Sequence, residues 1–193
     1  MTVFGLGPQE IYVAGERGVL RRSRDRGQTW EPVPTGVVQT IRALRGTGGT
    51  LWAAAWDGLV LRYDGQRVDR LWTQQREWLW DLWAGPEGIY TVGQRGLVLV
   101  RPAAEKRWLP FRTTPPNDLT SIWGTNAGIL YTVGDAGLVL RSQDGGRHWE
   151  REESADLKGV RVRLHRVRGT QRGDLYIVGA QGVLFHRRLP AKP

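Results

Sequence analysis

The 193-residue chain has no cysteine, which excludes disulfides, thiolate nucleophiles and cysteine-based zinc or iron sites. Its three histidines, His148, His165 and His186, stand on separate segments without ligand spacing, so no metal is expected. No apolar run approaches the roughly 18 residues that a spanning helix needs, and the N-terminal MTVFGLGPQE lacks a basic stretch followed by an apolar one. Neither a membrane span nor a signal peptide is expected in this numbering, which slightly favours the cytoplasm. No glycine-rich phosphate loop is present either: the Gly-x-x-Gly pairs lack a following helix, and no cofactor is expected. Lysine is nearly missing, with 3 against 25 arginines, yet the net charge is +9. Such an imbalance reflects coding composition as much as function, but basic charge draws acidic partners of any kind.

What the chain does have is tryptophan, ten in all, and a repeat. The period is about 40 residues, the spacing of propeller blades. Its marker is a pair of small residues three apart: Gly15 and Gly18, Ala55 and Gly58, Gly93 and Gly96, Gly134 and Gly137, Gly179 and Gly182. An aromatic stands three residues before each first member, namely Tyr12, Trp52, Tyr90, Tyr131 and Tyr176. An apolar strand follows each second member: VLRRS, LVLRY, LVLVR, LVLRS and VLFHR. The cleanest copy, residues 119–150, reads as four short antiparallel strands joined by glycine and Asp-Gly-Gly turns.

The expected fold is therefore all-β. It is a β-propeller of about five four-stranded antiparallel blades at residues 2–40, 41–78, 79–118, 119–161 and 162–193, within a single domain or as part of a larger propeller. The fifth copy ends in LPAKP, which offers no convincing fourth strand, so a three-stranded last blade or an edge completed by another chain is expected there.

Two segments carry a sharper pattern, Ser-x-Asp-x-Gly-x-x-Trp. They are SRDRGQTW, with Ser23, Asp25, Gly27 and Trp30, and SQDGGRHW, with Ser142, Asp144, Gly146 and Trp149. The pattern resembles the Asp-box, or bacterial neuraminidase repeat, found in sialidases and in many non-enzymatic propellers. Its role is structural by chemistry: the aspartate accepts turn amides, the glycine takes a conformation others resist, and the tryptophan covers the hairpin. Trp149→Ala is accordingly expected to cost roughly 3 to 5 kcal/mol, as for a buried aromatic. Together with the Gly-x-x-Gly units, the boxes make the chain similar to photosystem II stability/assembly factor-like propellers. That resemblance implies a scaffold for other proteins and assigns no partner.

The alternative reading is a carbohydrate-binding or sialidase-like glycoside-processing propeller, and its enzymatic side finds little support. No segment matches the Arg-Ile-Pro type of sialidase motif, and a glycosidase carboxylate pair could be assembled only from Asp57, Asp81 and Asp135, so no catalytic residue is assigned. Binding is expected at the junction loops, through Glu16, Arg17, Trp56, Asp57, Gln94, Arg95, Asp135 and Gln181. These are candidates by position. Trp56 is the most informative of them, since a tryptophan on a loop is either packed on the next blade or presented to a ligand. Trp80 and Trp83 align with packing positions, whereas Trp78 falls in a loop.

Residues 158–188 hold one lysine and seven arginines against Asp174 alone. Arg161, Arg163 and His165 alternate with Val160, Val162 and Leu164, so with Arg166 and Arg168 they are expected to form the charged face of an extended strand. Nonspecific nucleic-acid binding is the weaker partner reading of that patch, and a protein with an acidic surface the stronger one.

Overall fold

The computed structural model of the protein describes residues 1–152, 157–170 and 174–187. Five antiparallel sheets run through them, each taking its strands in chain order. Sheet 1 holds β1 (Thr2–Gly5), β2 (Ile11–Ala14), β3 (Leu20–Ser23) and β4 (Glu31–Pro32). Sheet 2 holds β5 (Ile41–Thr47), β6 (Thr50–Ala55), β7 (Leu59–Tyr63) and β8 (Val68–Trp72). Sheet 3 holds β9 (Leu79–Gly85), β10 (Gly88–Gly93), β11 (Leu97–Pro102) and β12 (Leu109–Arg112). Sheet 4 holds β13 (Leu119–Gly124), β14 (Leu130–Gly134), β15 (Val139–Ser142) and β16 (Glu150–Arg151). Sheet 5 holds β17 (Leu164–Gly169), β18 (Leu175–Gly179) and β19 (Leu184–Arg187). This is the architecture of a β-propeller. The tail from which no fourth strand was expected, residues 189–193, lies outside the described residues, as do Arg172 and Arg188 of the basic segment.

The chain divides into two compact units, Met1–Ala84 and Gly85–Pro193. In the first, Tyr12, Leu20, Leu44, Leu51, Leu59, Leu61 and Tyr63 share one core. Tyr12 meets Tyr63 edge to face, with ring centroids 6.1 Å apart. Its hydroxyl donates to Glu10 Oε1 at 2.6 Å, and Arg22 reaches the same oxygen at 2.5 Å. Burial and that bond push the Tyr12 phenol well above its ordinary range. Asp81 of β9 is fully buried, and Arg45 of β5 holds its Oδ1 at 2.9 Å while donating to Leu44 O at 2.6 Å. A buried carboxylate without such a partner would be several kcal/mol too costly to keep charged, on the order of the desolvation of one ion.

In the second unit, hydroxyls tie sheet 4 to sheet 5. Thr120 Oγ1 donates to Leu164 O at 2.5 Å, and Ser121 Oγ accepts the Val167 amide at 3.2 Å. Strands β10 and β14 are buried throughout, and β6 is so beyond its first residue. A strand covered on both faces reads as a continuous run of apolar and small residues, which TLWAAA, GIYTVG and LYTVG do. The threonine in LYTVG is satisfied locally, since Thr132 Oγ1 donates to Ser121 O at 2.9 Å.

The first strand of three sheets carries a register shift, between Ile41 and Ala43, Leu119 and Ser121, and Leu164 and Arg166. Such a bulge re-aims the extra side chain. The expected strand through Val160, Val162 and Leu164 starts only at Leu164. The residues before it spend their carbonyls elsewhere: Val162 O accepts Gly137 N at 2.7 Å and Arg163 O accepts Ala180 N at 2.8 Å. No helix among the described residues is long and apolar enough to cross a membrane.

Candidate functional site

At every junction the chain reverses in two residues, both with positive φ. The pairs are Arg17 (54°) and Gly18 (68°), Asp57 (59°) and Gly58 (66°), Arg95 (54°) and Gly96 (67°), Ala136 (56°) and Gly137 (68°), Gln181 (57°) and Gly182 (75°). This is the mirror-image type I′ hairpin turn, whose twist matches that of the flanking strands. The closing bond runs from Val19 N to Glu16 O at 3.1 Å in the first copy and from Leu138 N to Asp135 O at 3.2 Å in the fourth. The residue two positions before each turn, the first small residue of the sequence marker, is extended instead, as at Gly134 with φ of −164°. Ala55 therefore stands in that position without backbone strain.

The second glycine has a further reason to be glycine. A Cβ at Gly18, Gly58 or Gly137 would collide with the carbonyl oxygen of Val37, Gln75 or Val160. Those residues belong to the linkers that lead to the next sheet, and the linkers bond to the turns. Gly58 N donates to Glu77 O at 2.9 Å and Gly96 N to Asn117 O at 2.8 Å. In each unit the turn tips and the crossing linkers thus form one surface at the same end of the sheets.

In the first unit that surface holds a pocket of about 390 Å³ lined by Glu16, Arg17, Val38, Gln39, Thr40, Arg42, Trp56 and Asp57. Four of the sequence candidates are brought together here. Trp56 lies flat on Trp78, with ring centroids 4.4 Å apart, and Trp78 meets Trp80 edge-on at 5.8 Å. Arg42, the bulged residue of β5, sits with its guanidinium carbon 5.1 Å from the Trp80 ring. The pocket wall is thereby a supported aromatic stack with a cation on it. Sequence reasoning passed over Arg42, Val38 and Gln39 as site residues. The bulge that exposes Arg42 leaves no mark in a single sequence, although its recurrence one residue into three first strands is a usable signal. Beyond Asp57 lies a second hollow of about 490 Å³, lined also by Trp72, Gln74, Gln75 and Arg76. Trp80 and Trp83 are half-buried, so they pack without being core. Asp81 is fully buried against Arg45, so it is not presented beside Asp57 as a carboxylate pair would require.

In the second unit the candidate turn residues are held by their own linkers. Asp118 Oδ1 accepts the Arg95 amide at 2.9 Å, and Arg112 Nη1 donates to Gln94 O at 3.4 Å and Arg95 O at 3.2 Å. Asp135 faces Arg163 Nη1 at 3.3 Å, while Gln181 is exposed on its turn. The basic segment splits. Arg161 and Arg163 lie on the linker, His165 and Arg166 are both exposed because of the bulge, and Arg168 donates to Ser121 Oγ at 3.2 Å and Val167 O at 2.7 Å. Arg168 is thus a strut between sheets 4 and 5. Among the described residues no group of three or more histidine, aspartate or glutamate side chains could hold a metal ion.

The two Ser-x-Asp-x-Gly-x-x-Trp segments occupy the turn between the third and fourth strands, at the opposite end of the sheets, and they match bond for bond. Ser23 Oγ accepts Gly27 N at 2.7 Å and Ser142 Oγ accepts Gly146 N at 2.9 Å. Each serine hydroxyl donates to its aspartate, at 2.7 Å for Asp25 and 2.9 Å for Asp144. Trp30 Nε1 donates to Gly27 O and Trp149 Nε1 to Gly146 O, both at 3.0 Å. The Thr29 hydroxyl and amide, with Ser23, hold the Asp25 carboxyl down at about 2. Burial pushes Asp144 upward, but the His148 amide and ring, Ser142 and Arg147 outweigh it and hold that carboxyl well below the usual range. Both aspartates are consumed by their own turns.

No protein-family model matches the chain. It is 26% identical over 204 residues to the photosystem II assembly protein Ycf48 of Synechococcus sp. (strain JA-3-3Ab), covering 96% of this chain and 58% of the relative. To the photosystem II assembly lipoprotein Ycf48 of Nostoc sp. (strain PCC 7120 / SAG 25.82 / UTEX 2576) it is 22% identical over 207 residues, covering 96% and 56%. The chain thus spans a little over half the length of these curated relatives. Among solved structures, YCF48 bound to D1 peptide superposes with a TM-score of 0.75 at 19% identity, over 94% of this chain and 62% of that one. YCF48 from Cyanidioschyzon merolae gives 0.73 at 14% identity, over 95% and 67%. The chain is similar in sequence to Ycf48 and shares its β-propeller fold.

Proposed function

We propose that the protein is a non-catalytic propeller scaffold that holds a peptide segment of a partner protein on the turn-and-linker surface, with the pocket of the first unit as its anchor. The observation that carries this reading is the pocket's lining: one indole backed by a second, two guanidinium groups and two carboxylates around Val38 and Thr40. A stacked indole is a rigid apolar anchor that loses little freedom on binding. The balanced charges of Arg17, Arg42, Glu16 and Asp57 suit the polar backbone of a peptide, while the net charge of +9 favours encounter with an acidic one. That a solved structure holds YCF48 with a D1 peptide supports the same class of partner. Gln94, Arg95, Asp135 and Gln181 occupy equivalent turns in the second unit and are proposed as contacts there. Arg161, Arg163, His165 and Arg166 add basic charge for an acidic surface. On this reading the two serine-to-tryptophan hairpins are Asp-box repeats that brace single-domain blades.

The test is titration of the chain with acidic, neutral and basic peptides of equal length and apolar content, followed by fluorescence of the pocket tryptophans. The acidic peptide is expected to bind best, and Trp56→Ala and Arg42→Ala to weaken it about tenfold or more, the loss of one anchor. Equal binding of the basic peptide, or binding untouched by both variants, would overturn the reading.

A further inference from the structure

In each sheet the second-strand aromatic faces one residue of the third strand across the ladder. That residue is Arg22 for Tyr12, Arg62 for Trp52, Arg141 for Tyr131 and His186 for Tyr176, but Val100 for Tyr90. In sheet 1 the basic partner completes a polar cluster. The Arg22 guanidinium carbon lies 5.8 Å from the Tyr12 ring, and its nitrogen reaches Glu10 Oε1, the oxygen that also accepts the Tyr12 hydroxyl. In sheet 4 the Arg141 guanidinium carbon likewise stands 6.0 Å from the Tyr131 ring. Sheet 3 breaks the rule twice, with Gly88 at the phase of Glu10 and Val100 at the phase of Arg22.

A pocket of about 330 Å³ opens at that place, between the outer strands of sheet 3 and the hairpin of residues 142–149 in sheet 4. One wall is apolar, built by Val100, Pro102, Leu109 and Phe111. By repeat phase the first three replace Arg22, Arg24 and Glu31, which line a smaller hollow of about 210 Å³ in the first unit. Tyr90 also lines the larger pocket although it is only 3% exposed. Its hydroxyl lies 3.8 Å from where a Cβ on Gly145 would stand, and no described residue hydrogen-bonds it. Burial and the charge of Glu87 push that phenol upward against the pull of Arg147, so it stays protonated. A polar group this enclosed is ordinarily paired, which makes an unpaired one aimed into a pocket a mark of a missing partner.

The charges at the mouth are Glu87, Asp144 and Arg147, a negative balance in a chain of net charge +9. Asp144 is spent on its own turn through Ser142, Arg147 and His148, so Glu87 is the carboxylate that faces a ligand. Sheet 3 thus keeps the phenol and a carboxylate of the sheet 1 cluster and lacks the cation between them.

We propose that this pocket takes a guanidinium on an aliphatic stem, the side chain of an arginine presented by a partner chain. The guanidinium stands by the Tyr90 ring as Arg22 stands by Tyr12, and its N–H groups donate to the Tyr90 hydroxyl oxygen and to Glu87. Its stem lies along Leu109 and Phe111. Ala127, Gly128 and Gly145 complete the lining, and residues this small let the partner's backbone come close. The pocket is at the end of the sheets away from the junction turns, so its occupancy does not depend on the peptide surface proposed there.

Titration of the full chain with acetyl-Gly-X-Gly-amide peptides, read from the Phe111 ring resonances by NMR, tests it. The peptide with arginine at X is expected to bind at about millimolar concentration, and those with norleucine or glutamate about tenfold or more weakly. N-propylguanidine, which has the cation and stem without a backbone, is expected to bind more weakly than the arginine peptide. Val100→Arg fills the pocket with the arginine of the other sheets and is expected to abolish binding. Tyr90→Phe removes only the unpaired hydroxyl, so it is expected to keep the parent melting temperature and to weaken binding about threefold or more. An arginine peptide that does not bind, or binds both variants as it binds the parent, would overturn the assignment. So would a norleucine or glutamate peptide that binds as tightly, and propylguanidine binding more tightly than the peptide would overturn the partner chain as its source.

Discussion

Trp56 lies on Trp78 with ring centroids 4.4 Å apart and planes 11° from parallel. The first ring rides on a hairpin turn of sheet 2 and the second on the linker into β9, so the stack fastens a turn to the linker that crosses it. Trp56→Ala is expected to cost about 2 kcal/mol, below the range for a fully buried tryptophan because the ring is half-buried. Trp56→Phe keeps part of the stack and is expected to recover about half of the loss. Chemical denaturation of the three proteins measures both, and equal stability of all three would refute the fastening role.

Gly137 and Gly182 make the same turn with different surroundings. A Cβ on Gly137 meets the Val160 carbonyl, whereas one on Gly182 meets nothing. Gly182→Ala is therefore expected to cost about 1 kcal/mol, the strain of a left-handed alanine. Gly137→Ala adds a steric clash with backbone and is expected to cost about 3 kcal/mol. Equal costs in urea titration would show that backbone strain alone selects glycine here.

The repeat, its period and the strand content were legible because small residues, aromatics and apolar runs recur at fixed phase from Tyr12 to Gly182. The junction turn was legible only in part. Glycine announces its own positive φ, but Arg17, Asp57, Arg95, Ala136 and Gln181 adopt it because the I′ turn demands two such residues, a requirement of strand twist and not of residue type. Trp56 stands out in the sequence as a tryptophan on a loop, whereas Arg42, which lines the same pocket, does not, because its exposure depends on a bulge. The alternation of Arg161, Arg163 and His165 misled because periodicity reports what a segment would do as a strand. In the chain those linker carbonyls are committed to the Gly137 and Ala180 amides.

Arg45 and Asp81 form an ion pair in which the carboxylate is wholly enclosed. Asp81→Ala leaves a largely buried guanidinium and is expected to cost roughly 3 to 5 kcal/mol. Replacing both, as Arg45→Met with Asp81→Leu, removes the two desolvation penalties together and is expected to restore most of that loss. A double variant no more stable than Asp81→Ala would assign the cost to packing instead of charge.

The serine hairpins make separable predictions. Trp149 is half-buried, so Trp149→Ala is expected to cost about 2 kcal/mol, less than the value anticipated for full burial. Ser142→Ala strips an acceptor from the buried Gly146 amide and is expected to cost about 1 to 3 kcal/mol despite removing a single oxygen. A melting temperature insensitive to Ser142→Ala would count against the bracing role.

Acid should weaken these hairpins. Asp25 is held at about 2 in the folded chain against an ordinary 3.8, by the Thr29 hydroxyl and amide and by Ser23. Asp144 is shifted in the same direction, its hydrogen bonds from His148, Ser142 and Arg147 exceeding the upward push of burial. A depressed folded value means that the unfolded chain binds protons first as acid is added. The stabilisation is therefore complete above about pH 4 and is lost as the pH falls toward about 2. The melting temperature of the parent chain is expected to decline across that window, and the Asp25→Asn, Asp144→Asn double variant to start lower and decline less. If the double variant tracks the parent at every pH, the carboxylates do not hold the turns, and the bonds to Ser23 and Ser142 alone must carry the hairpins.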